Sequence, residues 1–297
     1  MHNILIIGVG QMGIAHLQSF LNVKKNYNIY LLDNKNIKIE KNNKIFVINK
    51  IPKNVRFSLA IISTNSNSRF SYFKKLFSLK IKWIVLEKFL FTEKNQYILA
   101  KKIFSKNNVN ILVNTWGKII LKKSKINFKK INDFNIDIKL KNGSLLSNIS
   151  HFLELFYCLN KSDLIKLDLI NYKLKKSKRR GFHEIFGKIK IFNKNNNSMT
   201  ISSINTKNNQ INIKIKTNKK KYEIKITQNG ECYSKINNKI LSKFKFPYSS
   251  IYMEKMYASD LKNKNNLKFF NNYTNIQKLE YDFLKMIRKK INNIKIT

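Results

Sequence analysis

Residues 3–13, Asn-Ile-Leu-Ile-Ile-Gly-Val-Gly-Gln-Met-Gly, constrain the fold more than any other stretch of the chain. Ile4 to Ile7 are uninterrupted apolar residues, the pattern of a strand buried on both faces in the middle of a parallel sheet. Gly8-Val9-Gly10-Gln11-Met12-Gly13 follows at once and leads into a helix-forming segment from Met12 to Val23. Glycines at this spacing permit a tight turn and let the backbone approach a pyrophosphate. The N–H groups and dipole of the next helix would face that anion. This places Gly8, Gly10, Gln11, Met12 and Gly13 at a dinucleotide's phosphates. Asp33 closes the next apolar run, Ile29-Tyr30-Leu31-Leu32, about 20 residues past the last glycine, where a ribose-binding carboxylate belongs. A carboxylate there accepts hydrogen bonds from both ribose hydroxyls and repels a 2′-phosphate. NAD(H) is therefore favoured over NADP(H), with Lys35 acting in the opposite sense.

The chain has 297 residues, enough for two domains, and 43% of them are hydrophobic, enough for real cores. Lys and Arg number 59 against 16 Asp and Glu, a net charge of +43. Concentrated on one face, such charge would indicate a nucleic-acid partner. Here the lysines are spread along the whole chain among Asn and Ile, and only Lys173 to Arg180 forms a dense block. Lys, Asn, Ile and Phe, which AT-rich codons specify, are enriched together, while Gly, Pro, Ala and Arg are scarce. The charge therefore reads as a genome-composition bias, with no specific nucleic-acid partner expected. Cys158 and Cys232 are far apart and lack metal-type spacing, and the histidines are few, so no metal site is expected. The apolar N-terminal run is short and has no basic leader, and no stretch is long enough to cross a membrane. A cytoplasmic protein without membrane insertion is the expectation.

Beyond Asp33, strands are predicted at 44–48, 57–62, 83–86 and 109–113, with helices over 68–79 and 93–106. The second of these helices is expected to turn Tyr97, Ile98, Ala100 and Phe104 inward. Alternating strands and helices imply a right-handed, doubly wound parallel sheet with helices on both faces and the ligand outside the strand carboxyl ends. Gly8–Gly13, Asp33, Ser63-Thr64-Asn65 and Glu87-Lys88 all fall at such ends. From about residue 120 the texture changes. A strand at 133–140 and a helix at 145–159 precede alternating segments at 164–174, 185–192, 199–204, 211–215 and 222–226, separated by turns such as Gln228-Asn229-Gly230. That is the pattern of a mostly antiparallel sheet with one solvated face, packed by helices. Two helices, 249–262 and 275–291, close the chain, and their Tyr, Phe and Met residues read as core.

These features together resemble the Gfo/Idh/MocA (glucose-fructose oxidoreductase/inositol dehydrogenase) family over nearly the whole length. The family has the same glycine strand–turn–helix. It also has a strand ending in Thr-Pro-Asn-x-x-His, here Ser63-Thr64-Asn65-Ser66-Asn67-Ser68-Arg69, and one ending in Glu-Lys-Pro-Leu, here Glu87-Lys88-Phe89-Leu90. Its later helix bears a His-x-x-Asp pair, here His151-Phe152-Leu153-Glu154. The departures are Asn65 and Phe89 for proline, Arg69 for histidine and Glu154 for aspartate. The resemblance implies an α/β plus α+β protein. A Rossmann dinucleotide-binding domain would span residues 1–118, and a substrate-binding and oligomerisation domain residues 119–297, with closing helices able to pack back on the first domain. It also implies hydride transfer between a nicotinamide and a hydroxyl or keto carbon of a sugar or sugar nucleotide, compatible with surface-polysaccharide biosynthesis, in a homo-oligomer joined through the late sheet.

On that reading Lys88 exchanges the substrate hydroxyl proton, and His151 hydrogen-bonds the same oxygen. Glu154, one helical turn on, would orient His151 or bind a substrate hydroxyl. Ser63, Thr64, Asn65 and Glu87 would line the cofactor cleft, with Lys88 shared between cofactor and substrate and Trp116 or Lys118 reaching the substrate. His2, His16 and His183 carry no comparable context, although His16 lies in the first helix near the phosphates. Two other readings stay open: a family member using bound NAD for net non-redox elimination or epimerisation, and a regulatory protein that keeps the cleft without turnover. The altered Glu-Lys-Phe motif motivates the second.

Overall fold

In a computed structural model, the described residues are 2–22, 27–39, 42–79, 81–106, 109–127, 133–160, 163–177, 182–246 and 268–289. The chain divides into two compact units, one running to Asn114 and the other beginning at Thr115.

The first unit is built on a six-stranded parallel sheet in the order β3-β2-β1-β4-β5-β6. Its strands are β1 (His2–Ile7), β2 (Tyr27–Leu32), β3 (Ile45–Ile48), β4 (Leu59–Ile62), β5 (Trp83–Leu86) and β6 (Asn110–Val113). Helices α1 (Gln11–Leu21), α2 (Ser66–Leu76) and α3 (Lys94–Lys106) lie between them in the chain. β4 and β5 are buried at every residue, which requires cover on both faces and explains their lack of alternation. On one face Ile4, Ile6, Ile29, Leu31, Leu59, Ile61, Trp83 and Val85 form a core that Leu17 and Phe20 of α1 join. β3, at the edge, has two exposed residues of four. Ile98 departs from expectation. It is exposed with Leu99, while Tyr97, Ala100 and Phe104 are buried, because residues three and seven apart share a helix face and adjacent ones do not.

The sheet order reverses at β1, with β2 on one side and β4 on the other. The last residues of the strands are register partners: Ile7 with Leu32 and Ile62, Ile62 with Leu86, and Leu86 with Val113. Gly8, Asp33, Ser63, Glu87 and Asn114 therefore each follow directly on an aligned strand end.

The second unit opens with α4 (Gly117–Lys123), β7 (Phe134–Lys141) and α5 (Leu145–Asn160). There follow β8 (Leu164–Lys176), β9 (His183–Asn193), β10 (Ser198–Ile204), β11 (Gln210–Thr217), β12 (Lys221–Ile226), β13 (Glu231–Ile236) and β14 (Lys239–Lys245). The eight strands form one sheet, β14-β13-β12-β11-β7-β10-β9-β8, antiparallel except where β10 runs parallel to β7. β7 buries Phe134, Ile136, Ile138 and Leu140 in strict alternation, as its sequence requires. β13 and β14 were not anticipated. Their hairpin turns on Asn237 and Asn238, both at positive φ, and the alternation of Cys232, Ser234 and Ile236 is the signal that marks β13.

The helix expected at 249–262 lies outside the described residues. The last described helix, α6 (Lys268–Arg288), begins earlier than the pattern from 275 predicts, and it buries Ile276, Leu279, Phe283, Leu284 and Ile287. Among the described residues no helix is long and apolar enough to cross a membrane, and no group of His, Cys, Asp and Glu is placed to hold a metal ion.

Gly187 is tightly enclosed in the second sheet. Its φ of 147° lies beside an irregularity in the β8–β9 ladder between Leu169 and Asn171, and a Cβ there would sit 2.2 Å from the Asn171 carbonyl oxygen. Gly187→Ala is expected to destabilise the protein by about 2 kcal/mol or more, read as a lower urea midpoint at unchanged slope. An unchanged midpoint would mean that the strand pair yields without loss.

Candidate active site

In the first unit the strand ends assemble a site around the glycine turn. Gly8 has φ 87°, and its N–H donates to the Leu32 carbonyl at 2.8 Å, which ties the turn to the end of β2. A Cβ on Gly8 would lie 2.7 Å from the Thr64 nitrogen, and one on Gly13 would lie 2.1 Å from the Gly8 oxygen. These two glycines are required by packing of the protein on itself. Gly10 is different: a Cβ there would meet nothing within 4 Å. It caps α1 without a side-chain hydrogen bond, and the first turn of the helix holds no acidic residue. The helical N–H groups of Gln11, Met12 and Gly13 precede the first helical bond, from Ile14 to Gly10, and so lack acceptors within the helix. Uncapped amides, a favourable dipole and open space over Gly10 fit a dinucleotide's pyrophosphate.

Asp33 locks onto the same turn. Its Oδ2 accepts the Val9 N–H at 2.6 Å and its Oδ1 the Lys35 N–H at 3.0 Å. Each oxygen keeps a further lone pair for a ribose hydroxyl. Ser63 braces the turn from β4, its hydroxyl donating to the Gly8 carbonyl at 2.6 Å. Asn65 caps α2, its Oδ1 accepting the Ser68 N–H at 3.1 Å. Thr64 lies half-buried between them.

Three residues here went unanticipated. Arg69, 1% exposed, donates from its guanidinium to the carbonyls of Thr64, Phe89 and Leu90, stapling the loop after β4 to the loop after β5. Its position in the motif drew notice only as a departure from histidine. His16, which lacked context in the sequence, is fully buried, with Nε2 2.9 Å from Glu87 Oε1. Asn114 donates its amide to the same oxygen at 2.5 Å. Glu87 was expected to line the cofactor cleft. Its side chain is instead buried and committed to these two partners. Burial alone would raise its pKa, but the His16 ring, the Asn114 amide and the Lys88 charge outweigh burial and hold the carboxyl below its ordinary value. Lys88, half-buried, begins the loop beyond, and the Lys88–Phe89 peptide is cis.

The second unit has its own cluster where α4 meets α5. Gly117 allows the contact: a Cβ there would lie 2.4 Å from the His151 oxygen and 2.6 Å from the Leu155 nitrogen. The Trp116 backbone N–H donates to His151 Nδ1 at 3.2 Å, and the two rings stack at 4.6 Å with 24° between planes. Phe152 and Phe246 meet the indole edge-on. An Nδ1 that accepts a hydrogen bond carries no proton, so the His151 ring proton sits on Nε2. Glu154 Oε2 accepts the Lys118 N–H at 3.0 Å, so the carboxylate caps the N-terminus of α4. The Lys118 side chain is exposed, and Trp116 is largely buried. His151 and Glu154 thus share a face, as their spacing requires, and both grip the start of α4.

No protein-family model and no curated protein matches the sequence. Solved structures do match. A Gfo/Idh/MocA family oxidoreductase from Vibrio cholerae is 9% identical, with 98% of this chain and 99% of that one covered and a TM-score of 0.67. UDP-N-acetylglucosamine 3-dehydrogenase GnnA from Acidithiobacillus ferrooxidans is 9% identical, with coverages of 96% and 99% and a TM-score of 0.66. A super-repressor mutant of Gal80p from Saccharomyces cerevisiae is 12% identical, with coverages of 97% and 95% and a TM-score of 0.71. The chain has the two-domain fold of the Gfo/Idh/MocA oxidoreductases over nearly its whole length.

Burial raises the Glu154 pKa above its ordinary 4.5, against the lowering effects of Lys118, Thr115 and Gly117. A native pKa above the unfolded one means that the folded state binds the proton more tightly. This contribution to stability is fully present below the unfolded pKa and is lost as pH rises through the native pKa. Glu154→Gln keeps an acceptor for the Lys118 N–H and removes the titration. Urea midpoints from pH 4 to 8 should shift in favour of the variant as pH rises, then level off. A difference independent of pH would show that this carboxyl does not titrate on folding.

Proposed function

We propose that this protein is an NAD(H)-dependent oxidoreductase acting on a hydroxyl or keto carbon of a sugar or sugar nucleotide. The observation that carries the reading is the alignment of Gly8, Asp33, Ser63 and the Glu87-Lys88 pair on consecutive strand ends, beside an open, acid-free helix N-terminus. On this reading the first unit is the dinucleotide-binding domain, and the second binds substrate.

A bound nicotinamide supplies the hydride donor or acceptor. The amides of Gln11, Met12 and Gly13 hold the pyrophosphate, with Gly10 leaving room for it. Asp33 accepts the ribose hydroxyls and disfavours a 2′-phosphate, which supports NAD over NADP. Lys88 gives or takes the hydroxyl proton, and His151 offers its Nε2–H as a hydrogen-bond donor to substrate. Trp116 holds the His151 ring by stacking, Lys118 reaches the substrate, and Glu154 acts at one remove by fixing the start of α4. The reading includes a homo-oligomer joined through the second sheet. The likeness to GnnA supports a nucleotide-sugar substrate. A regulatory reading is favoured by the likeness to Gal80p together with Arg69 and Phe89 in place of the family's histidine and proline.

The test begins with NADH and NADPH binding followed by fluorescence. NADH should bind more tightly than NADPH, and Gly10→Val should weaken it by about tenfold or more, since the valine fills the pyrophosphate space. A panel of sugar nucleotides is then assayed for turnover, with Lys88→Ala expected to lower kcat about 100-fold or more. Absence of dinucleotide binding would sink both readings. Binding without turnover on any substrate would favour regulation, and full activity in Lys88→Ala would remove the lysine from the mechanism.

A further inference from the structure

Arg69 rises from the first turn of α2 and, although charged, is 1% exposed. Its Nη1 donates to the carbonyls of Phe89 and Leu90, the latter at 3.1 Å, and its Nη2 donates to the carbonyl of Thr64. These carbonyls lie in loops, outside any helix or strand whose backbone could supply their donors, so a side chain has to. A planar guanidinium presents five N–H groups in a fixed fork, which lets one side chain serve two loops at once. The rest of the second loop is equally restrained. Phe89, Leu90 and Phe91 are buried, and the Phe91 ring packs on Phe70 and Phe73 of α2. The Tyr97 hydroxyl holds both the N–H and the carbonyl of Phe91. On the other side of Lys88, the Glu87 carboxylate is held by His16 and Asn114. Lys88 thus stands between two anchored neighbours, and Arg69 supplies the anchor on the Phe89 side.

We infer that Arg69 is a positioning residue for Lys88: by holding the Phe89 and Leu90 carbonyls against the loop after β4, it sets the backbone from which the lysine projects. The inference rests on the reading of Lys88 as the group that handles the substrate proton. A proline at position 89 would fix its own φ through its ring, whereas phenylalanine leaves that dihedral to its surroundings. Here the surroundings are the guanidinium, which bonds the carbonyl of residue 89 itself and that of the next residue. Arg69 and Phe89, two departures from the family motif, therefore touch each other. The first restores by hydrogen bonding the restraint that the second gives up. So paired, they preserve the setting of Lys88 and favour turnover over a purely regulatory role. The restraint matters because proton transfer needs the lysine within hydrogen-bond reach of the substrate oxygen, and small misplacements of a reacting group are costly.

Two measurements on the full-length protein test this without any dinucleotide or substrate. In the wild type, the Nη protons of Arg69 should give separate, slowly exchanging NMR signals, because a guanidinium held at both Nη groups does not rotate freely. A single averaged signal overturns the inference and needs no variant to fold. In Arg69→Ala, hydrogen–deuterium exchange read by mass spectrometry should rise about tenfold across residues 88–92 and keep its wild-type rate in β1 and α1. Guanidinium ion at about 50 mM, far below denaturing concentrations, should restore the wild-type rate by taking the vacated place. Unchanged exchange across 88–92 overturns the inference. So does a rise shared by the whole first unit in both Arg69→Ala and Arg69→Lys, which would assign the arginine to general packing. In the turnover assay, Arg69→Ala should lower kcat about 30-fold and shift NADH affinity by less than about threefold, since the α1 amides and Asp33 stay in place. An unchanged kcat, or an equal loss in both, overturns it. Failure to bind NADH would show in the wild type by fluorescence, so it is distinct from failure here.

Discussion

The in-register ending of the parallel strands is the constraint on which the first unit depends. Ile7, Leu32, Ile62, Leu86 and Val113 lie in line across the sheet, so the residue after each emerges at one edge. Parallel strands cannot be joined by tight hairpins, and each must hand the chain to a crossover at that edge. The turns thus gather residues that are up to 106 positions apart, Gly8 and Asn114 among them. The turns also brace one another. Asp33 holds the Val9 amide, Ser63 holds the Gly8 carbonyl, and Arg69 ties the Thr64 carbonyl to those of Phe89 and Leu90. Each of these bonds satisfies a backbone group that the crossovers would otherwise leave without a partner.

The two units use buried carboxylates in opposite ways. Glu87 has side-chain donors and a neighbouring cation, which together overcome the penalty of burial, so its pKa falls. Glu154 has only helix N–H groups, a hydroxyl and the charge of Lys118, and burial prevails, so its pKa rises. The contrast follows from what each carboxylate touches, since both lie in the interior. It also separates their roles. Glu87 ties α1 and the residue after β6 to the end of β5 through His16 and Asn114, whereas Glu154 serves the geometry of α4 and, through Trp116 and Gly117, the setting of His151.

The net charge of +43 has little part in either cluster. Most lysines lie on solvated strand and helix faces, and the ion pairs Lys166–Asp168 and Lys194–Asp163 are exposed and weak contributors to stability. With so few acids in the chain, those at interior positions stand out. A surface of this charge attracts polyanions in a salt-dependent way, whereas the open N-terminus of α1 at the glycine turn is neutral backbone.

The sequence by itself determined the elements and the edge. Apolar runs, glycine spacing and alternation are local properties, so β1, the glycine turn, Asp33, the ends of β4 and β5, and the pairing of His151 with Glu154 on one helix face were legible from residue order. Ile98 was misplaced because an apolar residue one step off the buried stripe looks the same in composition. β13 and β14 were passed over because their turn is Asn-Asn and their inward residues include Ser and Cys. The partners of the polar groups were decided only by the tertiary structure. His16 and Glu87 are 71 residues apart, and Asn114 and Glu87 are 27 apart. Nothing local to any of the three signals the others. A buried charge takes whatever donor the register brings beside it, and that register is a property of the whole sheet. For the same reason Glu154, which by spacing alone could have faced a substrate, became a helix cap once α4 was laid across it.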